Sequence, residues 1–82
     1  MNVWSRKEAY SYVLGCNTVE YHIGGRCFVR GNYVRFGGNK VAKQDGWDVL
    51  NVEKREGISI IKVAWFRELR DAQIWAELLN RK

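Results

Sequence analysis

Two hydrophobic periods alternate along this chain. Between Ser5 and Gly15 the apolar residues Ala9, Tyr10, Val13 and Leu14 fall three and four apart, the spacing that gives a helix one apolar stripe. Ser5 with Glu8 three residues later forms a capping-box pattern, Trp4 is placed to staple onto Ala9, and Gly15 is a natural helix stop. The spacing predicts a helix over 6–14. From Asn17 the pattern becomes strand-like: Thr18, Val19, Tyr21, Ile23, Phe28, Val29, Tyr33, Val34 and Phe36 are β-branched or aromatic, with glycines between them. Gly31-Asn32 predicts a two-residue hairpin turn, glycine supplying the positive φ of type II′. That turn sets Arg30 opposite Tyr33, Val29 opposite Val34, Phe28 opposite Arg35 and Cys27 opposite Phe36. Alternation then puts Cys27, Val29, Val34 and Phe36 on a core face, and Arg26, Phe28, Arg30, Tyr33 and Arg35 on the other.

The second half reads differently. Trp47, Val49, Leu50 and Val52 predict a strand, Lys54-Arg55-Glu56-Gly57 a polar turn, and Ile58 to Trp65 a longer, more buried strand. After Phe66 the period lengthens, and Leu69, Ala72, Trp75, Ala76 and Leu79 make one helical stripe. Ile74 and Leu78 lie off that stripe, four residues apart, as a second covered side or a seam for a partner or a second copy.

The expected fold is therefore α+β, a single domain over 1–82. It comprises an N-terminal helix, a four-stranded antiparallel sheet able to curl, and a C-terminal helix, with both helices on one sheet face. The expected core is Val13, Leu14, Val29, Val34, Phe36, Val49, Ile60, Val63, Leu69, Ala72, Ala76 and Leu79. A small, partly closed barrel with a flanking helix is the second arrangement.

Composition limits the class. Eighty-two residues with 46% hydrophobic and 13% aromatic content suffice for a real core and argue against disorder. No apolar run reaches a membrane span of about 18 residues, and charge appears by Arg6, so neither a membrane segment nor a signal peptide is expected. A cytoplasmic protein follows, with Cys16 and Cys27 as reduced thiols. Cys16, His22 and Cys27 lack the paired spacing of a zinc site, so no metal or cofactor is expected.

Charge changes the picture most. Residues 1–44 hold seven basic and two acidic side chains, residues 45–82 seven of each, and none from Tyr21 to Gln44 is acidic. The net +5 is thus a property of the first half, and such a field concentrates polyanions at one surface. Arginines neutralise phosphates and aromatic faces stack on unpaired bases. Arg26, Phe28, Arg30, Tyr33 and Arg35 supply both on one ribbon, and Lys40 and Lys43 extend the basic track. The expectation is non-enzymatic binding of DNA or RNA.

The order of N-terminal helix, a would-be second helix over Thr18–Ile23 and a basic hairpin is loosely that of a helix-turn-helix with a wing, and resembles, in outline, the excisionase-type regulators of mobile elements. That resemblance implies DNA binding by a regulator from a phage or mobile element. Catalysis has less behind it: His22 is the lone histidine, with Glu20 on its face if the segment is a strand, an acid–base pair of the kind small basic ribonucleases use. The alternative function is a small inhibitor or adaptor docking on a host protein, through Trp4 and Trp47 at element edges and through Ile74 and Leu78.

Overall fold

The computed structural model describes residues 3–35, 37, 42–54 and 56–81. Five antiparallel strands form one sheet in sequence order: β1 (Ser5–Ser11), β2 (Cys16–His22), β3 (Cys27–Val34), β4 (Lys43–Glu53) and β5 (Ser59–Phe66). One helix among the described residues, α1 (Leu69–Asn80), follows and packs on β3, β4 and the near side of β5.

The expected N-terminal helix is absent; its residues form β1, and the sheet has five strands rather than four. β1 pairs along its whole length with β2, from Ser5 opposite His22 to Ser11 opposite Cys16. The helical reading counted local spacing only. Thr18, Val19 and Tyr21 make β2 a strong strand, and a strand one short loop away offers the first segment a full ladder of hydrogen bonds. Gly15 still acts as a punctuator, at φ +71, but it closes a hairpin turn instead of a helix. Its N–H donates to the Ser11 carbonyl at 2.8 Å, and Ser11 Oγ accepts from the Leu14 N–H at 3.2 Å. The excisionase-like outline fails with the helix, because Thr18 to His22 belong to β2.

The Gly31-Asn32 turn is also absent. β3 runs straight through it, Gly31 opposite Trp47, and Gly31 is not among the positive-φ glycines. Glycine is there for space: a Cβ would sit 2.9 Å from the ring and hydroxyl of Tyr33, which folds back over it. The irregularity lies across the ladder. Between Gly31 and Tyr33 the register shifts, with Gly46 of β4 at φ +75 and Asn32 Nδ2 donating to the Asp45 carbonyl at 3.0 Å. Phe36, the last residue of the expected hairpin, lies outside the described residues.

The C-terminal helix forms where its stripe predicts. Ala72 and Ala76 are fully buried and, being small, bring α1 close to the sheet. Beneath them lie Cys27, Val29 and Val49, with Trp4, Tyr21, Trp47, Ala64, Phe66, Leu69 and Leu79 packed around. Each fully buried valine contributes about 1.5–3 kcal/mol from apolar burial. Several expected core residues do not join this cluster: Val13 is 80% exposed, Ile60 51% and Val63 45%. Val13 falls in the hairpin turn. Ile60 and Val63 lie on β5, which is the last strand of a meander and so an edge, not the buried strand expected from its composition.

Asn80 anchors the far end of the helix. Its Oδ1 accepts from the Cys27 N–H at 2.7 Å, and its Nδ2 donates to the Gly24 and Cys27 carbonyls at 3.1 and 3.0 Å. Gly25 leaves room for it, since a Cβ there would lie 2.8 Å from the Asn80 amide.

Candidate functional site

The β1–β2 hairpin joins the rest of the sheet narrowly. β2 pairs with β3 through Glu20–Arg30 and Tyr21–Val29. Beyond that the strands part, and Tyr33 Oη accepts the Val19 N–H at 3.2 Å where a ladder carbonyl would ordinarily do so. Burial pushes the Tyr33 phenol up, with the Val19 hydrogen bond opposing. The tip of the hairpin is held from across the gap, the Ala42 N–H donating to the Leu14 carbonyl at 3.2 Å and the Arg35 guanidinium to the Val13 carbonyl.

This arrangement disperses the residues that the sequence groups on one ribbon face. Arg26 is exposed in the β2–β3 turn and Arg35 lies past the other end of β3, roughly 30 Å apart at the rise of an extended strand. Phe28 is buried at 6% exposure, its ring stacked on His22 with centroids 4.5 Å apart. Arg30 is half-buried, flanked across the sheet by Glu20 and Asp48. Tyr33 serves the backbone as described. Lys43 is exposed at the start of β4, opposite Val34, and Lys40 lies outside the described residues.

The weaker interface candidates also separate. Trp4 and Trp47, expected at exposed edges, pack against the core. Trp4 Nε1 donates to Glu77 Oε1 at 3.1 Å, and Trp47 meets Tyr21 edge-on at 5.6 Å. Ile74 and Leu78 are exposed, at 47% and 45%, as are Trp65 and Trp75, whose pattern had pointed to burial.

What the fold does assemble is a different aromatic and basic cluster at the hairpin tip. Tyr10 and Tyr12 are 54% and 91% exposed, ring centroids 5.1 Å apart in an edge-to-face pair. Arg35 reaches their neighbour Val13, and Lys43 follows the Ala42 that is bonded to Leu14. No carboxylate occurs in 9–19 or 21–44. The signal was present in the sequence as an i, i+2 tyrosine pair. On a helix those positions diverge by about 200°; here Tyr10 lies near the end of β1 and Tyr12 opens the turn after it, and the rings meet. The choice of period concealed them.

A second polar cluster lies on the sheet face away from α1. His22 Nε2 and Glu20 Oε1 are 2.8 Å apart, and Glu20, Arg30 and Asp48 stand in one cross-strand row. Lys62 Nζ is 2.9 Å from Asp48 Oδ1, an ion pair without the alignment of a hydrogen bond. Beside the row is a groove of 380 Å³ lined by Ser11, Thr18, Glu20, Arg30, Asn32 and Asp48 among others; His22 is not part of its wall. The carboxylates alternate with cations, which cancels charge locally and leaves a structural ladder on a half-buried face. A cleft of 540 Å³ opens at the end of α1, lined by Cys27, Asn51, Val63, Trp75, Leu79 and Asn80 among others. Burial pushes the Cys27 thiol up, away from the thiolate that reactivity needs.

Among the described residues, no three or more His, Cys, Asp or Glu side chains are grouped to hold a metal ion, and no helix is long and apolar enough to cross a membrane. The chain matches no protein-family model, and no curated protein and no solved structure matches it significantly.

Proposed function

We propose that this protein is a non-enzymatic binder of single-stranded nucleic acid, RNA or single-stranded DNA, using the tip of its β1–β2 hairpin. The observation that carries the reading is the exposed pair Tyr10 and Tyr12 at a hairpin tip to which Arg35 is tied through the Val13 carbonyl and the segment before Lys43 through Leu14. A tyrosine 91% exposed has little use in a core, while its open face suits an unpaired base, with stacking contributing about 1–3 kcal/mol per base. Duplex bases are already stacked, which is why the reading favours single strands. Arg35 and Lys43 supply phosphate contacts, and the acid-free stretches on either side of Glu20 keep repulsion low. A cytoplasmic setting belongs to the same reading and is supported by two free cysteines.

The test is fluorescence anisotropy with labelled single-stranded DNA, duplex DNA and RNA at roughly 50 and 200 mM salt. Preferential single-strand binding that weakens steeply with salt is expected. Replacing Tyr10 and Tyr12 by alanine should lower affinity about tenfold or more, the loss of one or two stacked bases. Arg35→Glu with Lys43→Glu should weaken binding and flatten its salt dependence. Equal, weak binding to all three probes, unchanged by the tyrosine substitutions, would overturn the reading and favour a protein-docking surface.

A further inference from the structure

We infer that β5 is the seam of a two-fold dimer, pairing antiparallel with the same strand of a second copy of this chain. Being last in the sheet, β5 has no neighbour beyond it among the described residues, so one row of its backbone N–H and C=O groups faces outward. Such a row is a ready template for a further extended strand. The side chains around it are apolar on both faces of the sheet: Ile58, Ile60, Ile61, Val63 and Trp65 are 38–75% exposed. Trp75 continues the patch from the cleft beside Val63 onto α1. These are six of the twelve exposed large hydrophobic side chains among the described residues, so half of the exposure of this kind lies along one edge.

Three observations select a second copy as the occupant. The first is charge: residues 45–82 are net neutral, so two copies meet here without repulsion while the basic halves remain apart. The single charge on β5, Lys62, is already paired with Asp48 of its own chain. The second is symmetry. An antiparallel strand pair about an axis normal to the sheet is isologous, each copy offering the other the same surface, so this strand is its own complement. β5 carries an extra residue at Val63, where the register against β4 slips between Ala64 and Lys62. Regular pairing therefore falls on the stretch from Ile58 to Lys62, with Ile60 or Ile61 opposite itself. The third is area. A stable interface takes about 800 Å² from each partner, which is the order of what six such side chains and an eight-residue edge present.

This inference is independent of nucleic-acid binding at the hairpin tip. Its test is the solution mass of the 9.6 kDa chain, by light scattering and sedimentation, from low micromolar to sub-millimolar protein. A mass of twice the chain is expected, little affected by salt. Ile61→Lys should weaken the dimer by about 100-fold or more, since it places an unpaired charge in a desolvated seam. Circular dichroism shows whether that variant folds. Hydrogen exchange on the unaltered chain needs no variant: β5 amides should gain protection as concentration rises, and β1 amides should not. A monomer throughout the range overturns the inference. So does a dimer whose β5 amides exchange freely, or one that survives Ile61→Lys but is lost in Ile74→Lys with Leu78→Lys, which would place the seam on the helix instead.

Discussion

The two edges of this sheet are strands of similar length and opposite chemistry. β1 reads Ser-Arg-Lys-Glu-Ala-Tyr-Ser, exposed along most of its length, with Arg6 and Glu8 paired at 3.1 Å. β5 reads Ser-Ile-Ile-Lys-Val-Ala-Trp-Phe, also largely exposed, yet carries one charge. Charged side chains on an edge discourage a further strand, and an apolar edge invites one. Each edge thus suits a different proposed use: β1 and its turn a polyanion, β5 a further strand. The attachment of the two regions differs as well. β3, β4 and α1 supply the buried cluster, with Ala64 and Phe66 of β5 against it, whereas the β1–β2 hairpin reaches it through Tyr21 and otherwise meets β3 by a short ladder, the His22–Phe28 stack, one tyrosine hydroxyl and contacts at its tip.

The largest effect should come from cutting what binds the helix to the sheet. Asn80→Ala removes three hydrogen bonds and leaves the backbone N–H of buried Cys27 without its partner. A loss of about 2–4 kcal/mol is expected, given about 1–3 for each buried polar group left unpaired. Urea denaturation measures it through the midpoint. A change below about 1 kcal/mol would mean that the helix-clad region does not depend on this anchor.

Next in size is the link between the two regions. Tyr33→Phe keeps the ring and deletes the oxygen that accepts the Val19 N–H. The expected cost is about 1–2 kcal/mol, felt mainly as easier opening of the hairpin. Amide exchange resolved by residue should show Val19 and the β1–β2 amides accelerating, with Val29 and Val49 amides unchanged. Uniform acceleration across the sheet would contradict the division into two regions.

The same contrast explains what could be read from the sequence. α1 was legible because its stripe is long and repeats over three turns, and β4 because Trp47 to Val52 mixes β-branched and apolar residues between turn signals. β1 was not. Its seven residues carry a capping-box pattern that is satisfied locally by a helix, and only the strand forming across the Gly15 turn outweighs it. Gly31 misled for a related reason. A glycine marks either a backbone conformation or a missing side chain, and here it is the second, made necessary by a tyrosine two residues on. The charge asymmetry was fully visible, being a sum over the sequence, but the surface it feeds was not. Which arginine meets which aromatic depends on strand parity, and the parity of the first fifteen residues rested on the wrong period.

A smaller effect distinguishes the two cysteines. Burial pushes the Cys27 thiol up, so the folded chain keeps a proton that the unfolded chain has released. The thiol is neutral in both states at low pH, and the stability it confers is fully present there. That contribution falls as pH rises through about 9, where the unfolded thiol ionises first. Alkylation at mildly basic pH followed by peptide mapping should modify half-buried Cys16 first, with Cys27 reacting only as the protein opens. Equal rates at the two thiols would show that the cleft beside α1 admits reagent freely.

The smallest effect on stability is the most informative about use. Tyr12→Ala with Tyr10→Ala removes two aromatic rings, a change that in the helix-clad region would cost several kcal/mol. At the hairpin tip the rings pair with each other and are 54% and 91% exposed, so thermal and urea midpoints should move by no more than about 0.5 kcal/mol. Two large aromatic side chains that add nothing to folding need another role, and the same double variant should lose nucleic-acid affinity about tenfold or more. Unchanged stability with lost binding would identify the β1–β2 tip as a surface kept for a ligand. A large loss of stability would instead show the tyrosines packing on the sheet, and the contrast between the two edges would narrow to that of β5 alone.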